Sequence, residues 1–191
     1  MSNLIRAIAT ALLCLSLHAA AEGQSVNVSP SAEPQYRLTL LEELEGRWSM
    51  TAFMTPDGGD TWSQLSQTTV TIEYIHNDMV LREEVENPAS DAFNMLSFVT
   101  WDQYRRVYRK AAIDDYWGLM DIYSGDIDDN RLVLDNLESG TFFPVGSGQW
   151  RSFRLSIDLS GDERTMLVEA SDDGGSSWEA AFRSEYVRIA E

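Results

Sequence analysis

The side chains able to do chemistry in this chain are few and unevenly placed. The stretch Tyr104-Arg105-Arg106-Val107-Tyr108-Arg109-Lys110 holds four of the 14 basic residues, including the only lysine. On a strand, Arg106, Tyr108 and Lys110 share one face, while Arg105, Val107 and Arg109 share the other. Turned into a barrel, one such face brings cations to a cavity, where they suit a carboxylate or phosphate. Turned outward, the same bases offset neighbouring acids. Trp117, Trp150 and Arg154 fall on nearby strands and would add aromatic faces and a further guanidinium to the same cavity. His76 closes the alternating run Val70, Ile72, Tyr74, just before the turn Asn77-Asp78. At a barrel mouth it can contact a ligand or move a proton; at a solvated strand end it does neither.

Other chemistries lack their residues. Asp126, Asp128, Asp129 and Asn130 have the density of a calcium loop without the glycine and terminal glutamate that such a loop needs, so a solvated turn is expected and no metal site. Glu83, Glu84 and Glu86 alternate across a strand and cannot all face one site. No serine sits in a Gly-x-Ser-x-Gly elbow, and no glycine-rich phosphate loop occurs. With 31 acidic residues against 14 basic ones and a net charge of -17, nucleic acid and anionic membrane surfaces are not expected as partners.

The elements that must position these residues begin after an export signal. Arg6, the apolar run from Ala7 to Leu17 and the triplet Ala19, Ala20, Ala21 predict a signal peptide over residues 1–21, with the mature chain exported to the periplasm or beyond. Cys14 and His18 leave with it, so the mature chain keeps no cysteine and one histidine, which excludes disulfides, thiolate chemistry and multi-histidine zinc sites. No later stretch approaches the roughly 18 apolar residues of a membrane helix, and membrane insertion is not expected. Residues 22–35, with Pro30, Pro34 and several serines, predict a flexible linker. Leu38, Leu41 and Leu44, followed by Gly46, predict one short helix. From there on, runs of Val, Ile, Thr and aromatics are punctuated by turns such as Asn77-Asp78 and Gly161-Asp162, which predicts about ten antiparallel strands. A meander of that kind can close into a barrel with room inside for a ligand.

Gly46-Arg47-Trp48, at the junction of helix and first strand, resembles the Gly-x-Trp signature of lipocalin-like barrels, and Arg188 matches the arginine that stacks over that tryptophan and closes one end. Residues 41–189 resemble the bacterial DUF1579 family through Leu44-Glu45-Gly46-Arg47-Trp48, Trp101-Asp102 with Tyr108, Tyr123-Ser124-Gly125-Asp126, and Asp173-Gly174-Gly175 with Trp178, Tyr186 and Arg188. The resemblance implies a calycin-type barrel, distantly similar to nitrobindin-like barrels that hold haem through a histidine near the C-terminal strands. This chain has no histidine after His76, so no cofactor is expected. Two segments, Thr55 to Trp62 and Ser171 to Trp178, also fit Ser/Thr-x-Asp-x-Gly-x-Ser/Thr-Trp, the Asp-box hairpin of sialidase propellers, here read as two tight turns.

The expectation is therefore an all-β protein, a single antiparallel lipocalin-like β-barrel of about ten strands over residues 36–191 with one short N-terminal helix. Its expected function is to bind a small, partly apolar molecule, with an anionic group as one option, through Arg106, Tyr108, Trp117, Trp150, Arg154 and His76. Gly46, Trp48 and Arg188 are expected to close the barrel. An enzyme using acid–base groups in the cavity and an acidic interaction module with a filled barrel are the alternatives.

Overall fold

The computed structural model describes residues 32–86, 88 and 94–190; the expected signal peptide and residues 22–31 of the expected linker lie outside the described residues. A short helix, α1 (Glu33–Thr39), and a 3₁₀ turn (Glu42–Leu44) lead into eleven strands among the described residues. These are β1 (Gly46–Met54), β2 (Ser63–Ile75), β3 (Val80–Val85), β4 (Met95–Asp102), β5 (Val107–Asp114), β6 (Met120–Asp128), β7 (Arg131–Asp135), β8 (Phe143–Gly146), β9 (Gln149–Asp158), β10 (Glu163–Ser171) and β11 (Glu179–Arg188). All pairings are antiparallel, in the order β10-β11-β1-β2-β3-β4-β5-β6-β7-β9, and β9 pairs with β10 to close the ring. Short β8 pairs with the N-terminal part of β9, outside the ten-strand ring. Closure gives every strand of the ring two neighbours, although β2 meets β3 only from Val70 on and runs beyond it toward Ser63. The fold is thus an all-β, ten-stranded, lipocalin-like barrel.

Alternation decides which side chains enter it. Along β5 every second residue is buried, which places Tyr108, Lys110, Ala112 and Asp114 inside, and along β4 the same rule buries Ser97, Val99 and Trp101. Leu81, Leu132, Leu134, Leu155 and Tyr186 complete the core from the other strands.

The helix differs from expectation at both ends. It starts at Glu33, inside the stretch expected as linker, because Pro34 stands in the first turn, where its fixed φ and missing N–H suit a helix, and its ring is buried. It stops at Leu40, and the chain continues through the 3₁₀ turn. The three-residue spacing of Leu38, Leu41 and Leu44 still serves, since all three are at most 3% exposed. Gly46 does not cap a helix but opens β1.

Both Asp-box segments form the same self-contained turn. In β1–β2 the Asp57 carboxylate accepts from the Thr61 N–H at 2.8 Å and hydroxyl at 2.6 Å, and Gly59 N–H donates to Thr55 Oγ1 at 2.9 Å. In β10–β11 Asp173 accepts from Ser177 N–H at 2.9 Å and hydroxyl at 2.7 Å, and Gly175 N–H donates to Ser171 Oγ at 2.8 Å. The hydroxyl of Thr61 and that of Ser177 hold Asp57 and Asp173 down to about 2. An ordinary aspartate titrates near 4, so the stabilisation is present above that pH and is lost as pH falls toward 2. The melting temperature is expected to hold from pH 7 to about 5 and to fall steeply between about 4 and 2. Asp57→Asn/Asp173→Asn should melt lower at pH 7 and show a shallower acid decline; an unchanged acid limb in thermal melts would contradict this.

Candidate functional site

One end of the barrel is sealed by hydrogen bonds from the strands to carbonyls at the end of α1 and along the 3₁₀ turn and its exit. Tyr74 and Tyr108 hydroxyls donate to the carbonyls of Leu38 and Arg37 at 2.6 and 2.7 Å. Trp48 Nε1 donates to Leu44 O at 2.9 Å, and Arg188 donates to Glu45 O at 2.8 Å and Glu43 O at 2.7 Å. The Arg188 guanidinium carbon lies 4.1 Å from the Trp48 ring centroid. Gly46 makes that approach possible: its φ is +133°, and a Cβ there would stand 2.6 Å from Arg188 Nη1. Arg164 comes to the same ring at 4.0 Å and also donates to Glu43 O, at 2.6 Å. Burial, then the neighbouring Arg188, pull Arg164 down to about 10. Arg164 carries no sequence signature and was not foreseen; only its position two residues before inward-facing Met166 could have placed it inside.

Above this plug one polar group stands among mostly apolar side chains. Glu83, Ser97 and Lys110 stand beside a void of about 30 Å³, whose other walls include Leu44, Ile72, Leu81, Leu132, Leu155 and Met166. That is room for one or two water molecules. Tyr186 hydroxyl donates to Glu83 Oε1 at 2.9 Å, Ser97 hydroxyl to Glu83 Oε2 at 3.2 Å, and Lys110 Nζ to Ser97 Oγ at 2.7 Å, with Glu83 Oε2 3.5 Å from the ammonium. Burial, reinforced by the Glu83 charge, pushes the Tyr186 hydroxyl well above its usual range, so it stays a donor. An ammonium has three N–H groups and two partners here, which leaves one donor for the void. Nearer the far end, burial raises the pKa of Asp121, with nearby Asp114 adding to it, while Tyr123 hydroxyl donates to Asp121 at 3.2 Å.

The far end carries exposed apolar side chains on most of its strands: Met54, Leu65, Met95, Met120, Trp150 and Phe182 are each at least 39% exposed. Trp117 belongs to this rim, in the β5–β6 turn where Asp114 accepts four backbone N–H groups, and it packs edge-on to Tyr116 and Phe143.

The six expected ligand contacts do not gather at one place. Arg106 and Tyr108 were expected on one strand face, but Arg106 precedes β5 in a turn, with φ +59°, so strand alternation does not apply to it. Asp102 makes that turn by accepting from the N–H groups of Tyr104 and Arg105. The Arg106 side chain is 67% exposed, 3.6 Å from Glu33, whereas Tyr108 is wholly buried against Trp101 and burial pushes its hydroxyl up to about 12. Arg154 faces outward, paired with Glu169 at 2.8 Å and 4.7 Å from the Trp178 ring. Trp117 and Trp150 sit on the far rim. His76 is exposed in the β2–β3 turn at φ +54°. Glu83, Ser97 and Tyr186 were missed, although Leu81-x-Glu83-x-Val85 sets a carboxylate on an apolar face, and Lys110 alternates with Tyr108.

These residues do not fit a haem, because the one histidine among those described points away from the interior and the void is far smaller than a porphyrin. Among the described residues no three or more His, Cys, Asp or Glu side chains converge to hold a metal ion, and no helix is long and apolar enough to cross a membrane.

Comparison with known proteins adds a family. No curated protein matches the chain. A solved structure of a protein with unknown function from the DUF3598 family of Nostoc punctiforme aligns with 80% of this chain and 99% of its own, at 8% identity and a TM-score of 0.21, too distant a likeness to argue from. The model of the family described as "Protein of unknown function (DUF1579)" matches residues 33–188, which runs from the first residue of α1 to the arginine over Trp48, and the chain belongs to that family.

Proposed function

We propose that this is an exported binding protein whose barrel holds a small, partly apolar molecule, its polar end at Lys110 and its apolar body directed toward the far rim. The observation that carries this reading is the Glu83–Ser97–Lys110–Tyr186 cluster. A buried ion pair is often no more stabilising than leucines of similar volume, so stability alone does not account for its place in an apolar interior. The unused ammonium donor suits a carboxylate or carbonyl oxygen. The exposed apolar rim supplies a surface of the kind that marks ligand mouths. Since the void is about 30 Å³, side chains around it must part for anything larger than water.

The small void also favours a second reading, an acidic interaction module with a filled barrel. Thermal shift with octanoate, decanoate and phenylacetate separates the two. A ligand at a hundred times its Kd stabilises by about 2.7 kcal/mol, a rise of roughly 5–10 °C for a domain this size. The binding reading predicts such a rise, lost in Glu83→Gln/Lys110→Met. No shift with any of the three, or equal shifts in both proteins, contradicts it.

A further inference from the structure

The barrel has a second recess, on its outer wall. Outward positions of antiparallel strands are ordinarily polar. Here Ile75, Val80, Phe98, Ala111 and Ile122 face outward around a groove of about 440 Å³, within the range of small-molecule sites and much larger than the interior void. Its floor is continuous across three strands, since Phe98 pairs with Ala111 and Ala111 with Ile122. Arg109 and His76 stand at its margin, and none of the residues around it is acidic. In a chain with 31 acids and 14 bases, a lining without a carboxylate sets this patch apart. The carboxylate beside Arg109 is Glu138, 3.9 Å away and 63% exposed, which leaves guanidinium donors for another acceptor.

We infer that this groove binds a small amphipathic anion, with a carboxylate or sulfonate on Arg109 and an apolar body across Phe98, Ala111 and Ile122. Lys110 lines both recesses, but alternation along β5 turns its side chain inward and that of Arg109 outward, so the two sites lie on opposite sides of one wall.

Fluorescence titration of the full chain with 8-anilinonaphthalene-1-sulfonate, with decanoate as competitor, tests it. Saturable binding displaced by decanoate is expected. Arg109→Gln should weaken it about tenfold, the loss of one charge-assisted hydrogen bond. Ala111→Glu, which sets a carboxylate in the floor, should abolish it while the melting temperature shows the barrel intact. The inference is overturned by no saturable binding up to millimolar probe, or by both variants binding like the parent. It is equally overturned if Glu83→Gln/Lys110→Met is the variant that loses the probe, since the probe would then enter the barrel.

Discussion

Lys110→Met alone should lower folding stability by about 3–5 kcal/mol, and adding Glu83→Gln should return most of that loss. The ammonium is 11% exposed and the carboxylate 19%. Removing the cation leaves a buried charge whose remaining donors are the hydroxyls of Ser97 and Tyr186, whereas removing both charges leaves a neutral amide that still accepts from Tyr186. Chemical denaturation with unchanged slope reads the difference directly. Equal losses in the single and double variants would mean that the pair is not electrostatically coupled.

The second large effect belongs to the plug. Trp48→Ala should cost at least about 3–5 kcal/mol, the usual figure for deleting a buried large aromatic side chain. Trp48 is wholly buried and lies within 4.1 Å of two guanidinium groups. Arg164, 4% exposed, has two buried nitrogens, Nε and Nη1, without a hydrogen-bond acceptor, so the ring is the group that offsets their desolvation. Arg188→Ala should be milder, about 1–3 kcal/mol, because its side chain is 30% exposed and Glu43 O keeps its bond from Arg164. Thermal and denaturant melts should rank Trp48→Ala well below Arg188→Ala; the reverse order would show that the arginine, not the ring, organises this end.

Much of the architecture was legible in the residues. Period-two runs and turn pairs pointed to the strands, and a closed ring is the arrangement that leaves such a meander without edges. Gly46, Trp48 and Arg188 could be placed because a tight approach leaves a motif behind. The ligand residues could not, because reading Tyr104 to Lys110 as one strand ignored Asp102, whose side chain caps a turn and moves Arg106 off the sheet. Alternation also fixes which residues share a face without saying which face is inside. That depended on long-range register: Glu83 reaches Tyr186 across 103 residues, and nothing local to either residue announces the contact. The break between α1 and the 3₁₀ turn was hidden because leucines spaced by three suit either helix.

Native mass spectrometry of the full chain, purified after export and then extracted under denaturing conditions, tests the interior binding site most directly. The binding account predicts a folded species heavier than the bare chain by one small molecule, released on denaturation and absent from Glu83→Gln/Lys110→Met. A bare folded mass in both proteins, unchanged after incubation with carboxylate ligands, would contradict it.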